Sequence, residues 1–100
     1  MQSLKLANDV FDKLGVDKSS TLRRGKKDIL LGKLKFYTDE PDYKISIVNV
    51  TMVFYCKFID LPIDFHRYEG YKSKDELFKT MQRFYPDFKE DDICTVIYFN

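Results

Sequence analysis

Four segments of the chain carry the residue pattern of β-strands. "GKLKFY", which begins at Gly32, alternates apolar and polar positions as a half-buried strand does. "YKISIVNVTMVFYCKF" is the longest such segment, and its apolar positions change parity between Ile47 and Val48, which predicts a strand that bends around a closed or strongly coiled sheet. "ICTVIYF" is β-branched and aromatic throughout and predicts a buried closing strand. The early segment "KSSTL" is predicted to be extended, and Gly25 marks the turn after it.

Two segments have the spacing of short helices. In "SLKLANDVFDKLG" Ser3 is the predicted N-cap and Gly15 the stop, and apolar residues recur at helical intervals between them. These apolar positions are Leu4, Ala7, Val10 or Phe11, and Leu14. "LPIDFHRYEG" predicts a helical turn with Pro62 at its first position and Gly70 at its end. Its apolar side consists of Leu61, Phe65 and Tyr68.

The strongest helical pattern is "SKDELFKTMQRFYP". Ser73 and Glu76 form a capping box at its start, and Pro86 follows its end. The predicted buried stripe consists of Leu77, Met81, Phe84 and Tyr85. The predicted order is therefore helix, strand, strand, long strand, two helices and strand. This order favours an α+β fold, a small mixed β-barrel whose ends are covered by helices, over a helix-backed open sheet.

Composition limits the classes of function. The chain has 100 residues, which suits a single domain over residues 1–100, and 44% of them are apolar, which is enough for a compact core. The net charge of +1 excludes a uniformly basic nucleic-acid binder, so attraction of an anion must come from local clusters. The segment "KSSTLRRGKK" is such a cluster, with five basic residues and no acidic one, and a solvated loop is its alternative interpretation.

The chain contains two cysteines and one histidine. Cys56 and Cys94 lie far apart in the sequence, no CxxC occurs, and His66 alone does not complete a zinc site, so we expect neither a metal nor another cofactor. Free thiols inside strands suit a reducing compartment. No signal-peptide pattern and no apolar run of about 20 residues is present, so we expect a cytoplasmic protein that is not in a membrane.

The stretches "GVDKSSTLRRG", "DILLGKLKF", "YEGYKSKDEL" and "FYPDF", the last followed by "CTVIYF", occur in this order within the region from Val10 to Phe99. The set resembles the ASCH domain family, a branch of the PUA-like barrel superfamily. In that family a Gly/Lys/Thr/Arg segment comes early, an "EG" pair precedes a helix, a "YP" follows it, and an apolar strand closes the barrel. The resemblance implies a single ASCH domain with a small PUA-like mixed β-barrel and flanking helices.

The resemblance also implies a function. ASCH domains are associated with RNA, and one bacterial branch hydrolyses the acetyl amide of N4-acetylcytidine with a lysine, a threonine and a glutamate. On this sequence those roles fall on Lys18, Thr21 and Glu69, and Arg23 takes the arginine position of the motif. The chain departs from that branch in having two residues rather than one between Gly15 and Lys18.

Amide hydrolysis sets requirements that these residues have to meet. A threonine hydroxyl needs a base, and Lys18 is a base only if burial or nearby positive charge, such as Arg23 and Arg24, lowers its pKa. Glu69 would then protonate the departing amine. In a regular strand Lys18 and Thr21 point to opposite faces, so their convergence predicts an irregular backbone at Ser19–Ser20. The structural alternatives are a solvated Lys18, a strand-forming Thr21, and a Glu69 that only caps a helix end or pairs with Arg67.

Binding of RNA without catalysis is the alternative function. Basic side chains would contact phosphates and hydroxyls would contact sugar or base edges; the candidates are Arg23, Arg24, Lys26 and Lys27, with Ser19, Ser20 and Thr21. Tyr37, Tyr68 or Tyr71 would stack on a base, and His66 is a further candidate for phosphate contact or RNA cleavage. The sequence therefore predicts either a hydrolase acting on RNA or a modified nucleoside, or an RNA-binding module. A protein-interaction adaptor has no positive feature in the sequence.

Overall fold

The computed structural model describes residues 1–15, 18–39 and 42–100. Within them lie five strands and three α-helices. The strands are β1 (Ser3–Lys5), β2 (Ser20–Arg24), β3 (Gly32–Thr38), β4 (Lys44–Lys57) and β5 (Ile93–Phe99). The helices are α1 (Asn8–Phe11), α2 (Phe65–Tyr68) and α3 (Lys74–Phe84), and a 3₁₀ turn (Phe58–Asp60) follows β4.

The five strands form one curled sheet in the order β1-β3-β4-β5-β2. β1 runs parallel to β3, and the other neighbouring strands are antiparallel. The sheet is a half-barrel, with β1 and β2 as its two edge strands, and the helices lie beside it. This arrangement confirms the predicted α+β fold with a small barrel-like mixed sheet and flanking helices.

Two hydrophobic cores lie on the two faces of the sheet. One core, which we call the inner core, includes Leu34 and Phe36 of β3, Ile97 and Phe99 of β5, and Val10 of α1. The outer core lies between the other face of the sheet and the helical region. Its buried members include Leu22, Phe58, Phe65, Leu77, Met81, Phe88, Cys94 and Val96. β5 therefore contributes to both cores, which explains why its sequence shows no polar face.

The predicted first helix is wrong in its bounds. Ser3 does not cap a helix but begins β1, which pairs with Lys35–Tyr37 of β3, and α1 starts only at Asn8. Leu4 and the apolar residues of α1 pack against the inner core, as the spacing suggested. The same apolar positions satisfy a strand followed by one helical turn, because a three-residue edge strand is too short to show its own period. Gly15 does end this region, with a φ of 77°.

The two later helices differ in how well the sequence anticipated them. α3 is confirmed: the Ser73 hydroxyl accepts a hydrogen bond of 3.1 Å from the Glu76 backbone N–H, and the helix ends two residues before Pro86. α2 is shorter than predicted. Pro62 precedes the helix instead of starting it, and its carbonyl accepts a hydrogen bond from the Phe65 N–H.

The long strand β4 changes its pairing partner along its length. Residues up to Val50 pair with β3, and residues from Val50 onwards pair with β5, with a register shift between Val50 and Met52. The irregularity therefore lies about three residues after the predicted parity change. Ile47 lies on the outer surface, because its neighbours Ser46 and Val48 stand opposite the buried Phe36 and Leu34 of β3.

None of the helices in the described part of the chain has the length and apolar character needed to cross a lipid bilayer.

The cap at Ser73 gives a first testable prediction. Ser73→Ala removes the acceptor for the Glu76 N–H and should lower the free energy of unfolding by about 1 kcal/mol. Ser3→Ala is the matched control, because Ser3 is exposed on an edge strand and its loss should change stability by less than about 0.5 kcal/mol. Urea unfolding of both variants measures the difference. Equal effects would contradict the assignment of Ser3 to a strand and Ser73 to a cap.

Candidate active site

A cavity of about 440 Å³ lies where the half-barrel fails to close. β1 and the start of α1 form one side of it through Lys5, Leu6, Ala7 and Val10, and β2 forms the other through Thr21, Leu22 and Arg23. Arg23 crosses this seam, since its Nη2 donates a hydrogen bond of 2.8 Å to the Lys5 carbonyl. We call this space the seam cavity.

Helix α3 covers the seam cavity with apolar side chains. Leu77, Met81 and Phe84 line it together with the more polar Thr80 and Tyr85. The sequence identified four of these five residues as the buried stripe of a helix, but it gave no sign that the stripe also faces a cavity. Phe84 is 46% exposed and therefore belongs to the rim of the cavity.

Lys18 reaches the cavity because the backbone bends immediately before β2. The chain bends at Ser19, whose N–H donates to the Tyr68 carbonyl at 2.8 Å, and the strand begins at Ser20. The Lys18 N–H in turn donates to the Lys13 carbonyl at 3.1 Å. Lys18 thus lies outside the regular alternation of β2, and it lines the same cavity as Thr21. The irregular backbone expected near Ser19–Ser20 is present.

Glu69 enters the cavity from the turn after α2. Gly70, with a φ of 81°, reverses the chain directly after it, and the Gly70 N–H donates to the Arg67 carbonyl at 3.0 Å. The left-handed conformation at Gly70 favours glycine, which gives the "EG" pair a structural reason. The Tyr71 N–H closes the turn on the His66 carbonyl at 2.9 Å.

Lys18 and Glu69 form a buried ion pair on the wall of the cavity. The Lys18 Nζ donates a hydrogen bond to Glu69 Oε2, and the two residues are only 4% and 3% exposed. The solvated-lysine alternative for Lys18 is therefore wrong, and Glu69 does not pair with Arg67, whose guanidinium lies 3.9 Å from Asp64. The second carboxylate oxygen, Glu69 Oε1, is buried and has no hydrogen-bond partner within residues 1–15, 18–39 and 42–100.

Burial acts on the two partners in opposite directions. It lowers the pKa of Lys18, an effect that the Glu69 carboxylate opposes and that Arg23 and Lys13 strengthen. It raises the pKa of Glu69, an effect that Lys18, Arg23 and Lys13 oppose. Because burial disfavours both charged forms, the pair lies closer to a neutral amine beside a carboxylic acid than the same groups would in water. Arg24, which the sequence suggested as a second perturbing charge, is not among the causes.

Thr21 and Arg23 lie two residues apart on β2 and therefore share one face of the strand. Thr21 is buried, and both residues line the seam cavity. The Arg23 guanidinium donates a hydrogen bond to the Lys5 carbonyl, Tyr85 lies close enough to influence its pKa, and its Nε has no partner in the described part of the chain. Burial lowers the pKa of Arg23, and Tyr85 and Glu69 oppose that shift, so the guanidinium stays charged.

The other predicted binding residues lie outside the seam cavity. Arg24 makes ion pairs with Asp87 at 2.7 Å and Asp92 at 3.4 Å, on the other side of β2. Lys26 and Lys27 are exposed in the loop after β2, where the Lys26 Nζ lies 5.8 Å from the ring centroid of Tyr55. Ser19 and Ser20 do not line the cavity either, and the Ser20 hydroxyl is buried without a partner among the described residues.

The predicted stacking tyrosines are divided among three places. Tyr71 lines the seam cavity. Tyr68 is 50% exposed and packs edge-to-face on Tyr98, and Tyr37 lies beside Tyr43 with ring centroids 6.3 Å apart. His66 does not line the cavity. Tyr85 is the functional candidate that the sequence analysis missed, because its place in the predicted buried stripe marked it only as a packing residue.

Comparison with known proteins supports the fold. No protein-family model and no curated protein sequence matched the chain. Among solved structures, the crystal structure of an ASCH domain from Lactobacillus crispatus JV V101 is similar, with a TM-score of 0.73 and 18% sequence identity, covering 99% of this chain and 77% of that chain. The two chains share a fold. The structural neighbour is thus an ASCH domain, the family that the sequence motifs resemble.

The buried pair predicts an unusual pH dependence of stability. Lys18→Met leaves Glu69 buried without its partner and should cost about 3 to 5 kcal/mol of unfolding free energy at pH 8. The loss should be smaller at pH 5. Burial raises the pKa of Glu69 above its value in the unfolded chain, so the folded variant binds more protons than the unfolded one. Its stability should therefore fall as the pH rises from the unfolded pKa of Glu69 towards the folded one.

Urea unfolding of the wild type and Lys18→Met at pH 5 and pH 8 tests this expectation. The double variant Lys18→Met/Glu69→Gln is the control, since it removes the buried carboxylate that has lost its partner and should recover stability at pH 8. Equal losses at the two pH values would show that Glu69 is not confined to a buried environment.

Proposed function

We propose that this chain is an ASCH-domain protein whose seam cavity binds a modified nucleoside and hydrolyses an amide on its base, as in N4-acetylcytidine. The observation that carries the proposal is the buried Lys18–Glu69 pair, which lies on the wall of a cavity that also contains Thr21 and Arg23. A base, a nucleophile and a proton donor are the groups that amide hydrolysis requires. We expect the protein to act in the cytoplasm and without a metal or other cofactor.

The proposed reaction uses the shared proton of the pair. When that proton resides on Glu69, the neutral Lys18 amine accepts the proton of the Thr21 hydroxyl, and Thr21 Oγ1 attacks the acyl carbonyl. Glu69 then protonates the departing amine of the base, and the acyl group remains on Thr21 as an ester. Water, activated by the same pair, hydrolyses this ester, so the overall reaction converts amide and water into carboxylic acid and amine.

Arg23 is proposed to hold the ligand during these steps. Its guanidinium faces the cavity, its Nε has no partner in the described ranges, and no carboxylate there forms a salt bridge with it. A charged donor of this kind stabilises the negative charge that develops on a carbonyl oxygen under attack. Tyr85, which lines the cavity together with Arg23, would help to orient the guanidinium.

The shape of the site favours a single nucleoside over an RNA chain. A volume of about 440 Å³ falls within the range of pockets that enclose one small ligand. The basic residues that would follow a phosphate backbone, Lys26 and Lys27, are exposed in the loop after β2 and do not line the cavity. The apolar side chains of α3 would cover a planar base.

Binding of RNA without catalysis remains the second proposal, and one surface feature favours it. Lys26 and Lys27 lie together in solvent beside Tyr55, which is 44% exposed. The two lysines can contact phosphates of single-stranded RNA, and the exposed ring beside them can stack on a base. This surface is separate from the seam cavity, so the two proposals require different residues.

Incubation with N4-acetylcytidine, followed by chromatography of cytidine and acetate, tests the enzyme. Lys18→Met, Thr21→Val and Glu69→Gln should each lower kcat/KM by at least about 100-fold, because each removes a proton-transfer group or the nucleophile. Lys33→Met, Thr51→Val and Glu90→Gln are matched controls at exposed positions and should leave turnover unchanged. Retained turnover in Thr21→Val would eliminate the acyl-threonine step.

The pH dependence of kcat/KM provides a separate prediction. Activity requires one shared proton on the pair, so it should fall when a second proton binds at low pH and when the last is lost at high pH. Burial raises the pKa of Glu69 and lowers that of Lys18. The bell-shaped pH profile of kcat/KM should therefore be narrower than the interval between the pKa values of free Glu and Lys side chains. A profile that rises continuously to pH 10 would contradict this assignment.

RNA binding distinguishes the two proposals. If the wild type leaves the nucleoside intact but binds single-stranded RNA with an affinity that falls steeply with salt, the binding module is the correct function. In that case Lys26→Met/Lys27→Met should weaken binding, whereas Thr21→Val should not.

A further inference from the structure

The two cysteines stand directly opposite each other across the β4–β5 ladder. Cys56 of β4 is the Cα partner of Cys94 of β5, and both are free thiols. Directly opposed residues of antiparallel strands have Cα atoms about 4.5 or 5.5 Å apart, depending on the type of pair. Both separations fall within the range of about 4.4 to 6.8 Å that a disulfide needs.

The surroundings of the two thiols allow a bond between them. Both side chains lie on the face of the outer core, since Cys94 is a member of that core and Cys56 packs against it. The pair is one step from the end of the ladder, whose last paired residues are Lys57 and Ile93. Strand ends open more readily than strand centres, so the backbone there can adjust to disulfide geometry. Cys56 is only half-buried, which gives an oxidant access to one of the two sulfurs.

We propose that Cys56 and Cys94 form a reversible intramolecular disulfide, and that this pair is a site of redox modification. With glutathione disulfide as oxidant, the Cys56 thiolate attacks one sulfur of the oxidant, forms a mixed disulfide and releases one glutathione thiolate. The Cys94 thiolate then attacks the Cys56 sulfur and releases the second glutathione. The protein loses two electrons and two protons, and one glutathione disulfide is reduced to two glutathione molecules.

The environment of the thiols makes this a slow modification that accelerates with pH. Burial raises the pKa of Cys94 to about 12, with Cys56 and Asp92 adding to the shift and Arg24 opposing it. Burial also raises the pKa of Cys56, and Asp60 adds to this upward shift whereas Lys74 opposes it. Because the thiolate is the attacking species, the rate of oxidation should increase about tenfold per pH unit between pH 7 and 8. The equilibrium position is therefore a better test than the rate.

The decisive measurement is the ratio of disulfide to dithiol in glutathione redox buffers, read by the 2 Da mass difference and by peptide mapping. The folded protein should favour the disulfide over the same chain in urea by about tenfold or more, because the sheet holds the two sulfurs together. By the same thermodynamic cycle, the free energy of unfolding of the oxidised protein should exceed that of the reduced protein by about 1.4 kcal/mol for each tenfold preference of the folded state for the disulfide.

A shifted variant separates register from proximity in sequence. Tyr55→Cys/Cys56→Ser keeps two cysteines but moves one to the residue whose partner is Thr95, on the opposite face of the strand. This variant should remain without an intramolecular disulfide in the buffer that oxidises the wild type. The proposal is overturned if the shifted variant oxidises equally, if the folded wild type shows no advantage over the unfolded chain, or if only a mixed disulfide with glutathione forms at Cys56.

Discussion

A buried ammonium group needs a buried anion, and this need connects distant parts of the chain. Lys18 and Glu69 are 51 residues apart in sequence, yet each is almost fully removed from water and each is the other's charged partner. Leaving either alone in the interior would cost several kcal/mol. The bend at Ser19 directly follows Lys18, and the turn at Gly70 directly follows Glu69. The hydrogen bond from the Ser19 N–H to the Tyr68 carbonyl joins the two segments directly.

The incomplete barrel explains where the seam cavity lies. Closed barrels of this size fill their interior with side chains, and in this chain Leu34, Phe36 and Phe99 are packed together in the inner core. The open space lies instead between the edge strands β1 and β2, beneath α3. An edge strand also has an unpaired side, and Arg23 uses it to reach the Lys5 carbonyl. The seam cavity is thus a consequence of the sheet's open edges rather than of a hollow centre.

The sequence predicted those parts of the molecule that depend on local pattern. β3, β4, β5 and the capped α3 follow from alternation, β-branching and a capping box, each of which acts over a few residues. β1 escaped detection because pairing with β3, a tertiary contact, decides its conformation. The same distinction applies to the site. Motif resemblance suggested Lys18, Thr21, Arg23 and Glu69, which all line the seam cavity. Arg24 instead pairs with Asp87 and Asp92, and Lys26 and Lys27 are exposed after β2, which no local pattern encodes.

Stability alone does not account for the Lys18–Glu69 pair. Replacing a buried ion pair with apolar residues of similar volume is often neutral or stabilising, so packing would be served at least as well by a leucine and a methionine. Neither pairing nor packing explains why Glu69 Oε1 and Arg23 Nε are buried without partners in the described part of the chain. Unpaired buried polar atoms are costly unless water or a ligand supplies the missing hydrogen bonds. The ligand proposed for the seam cavity would supply them, and a proton shared by Lys18 and Glu69 would be available for the proposed reaction.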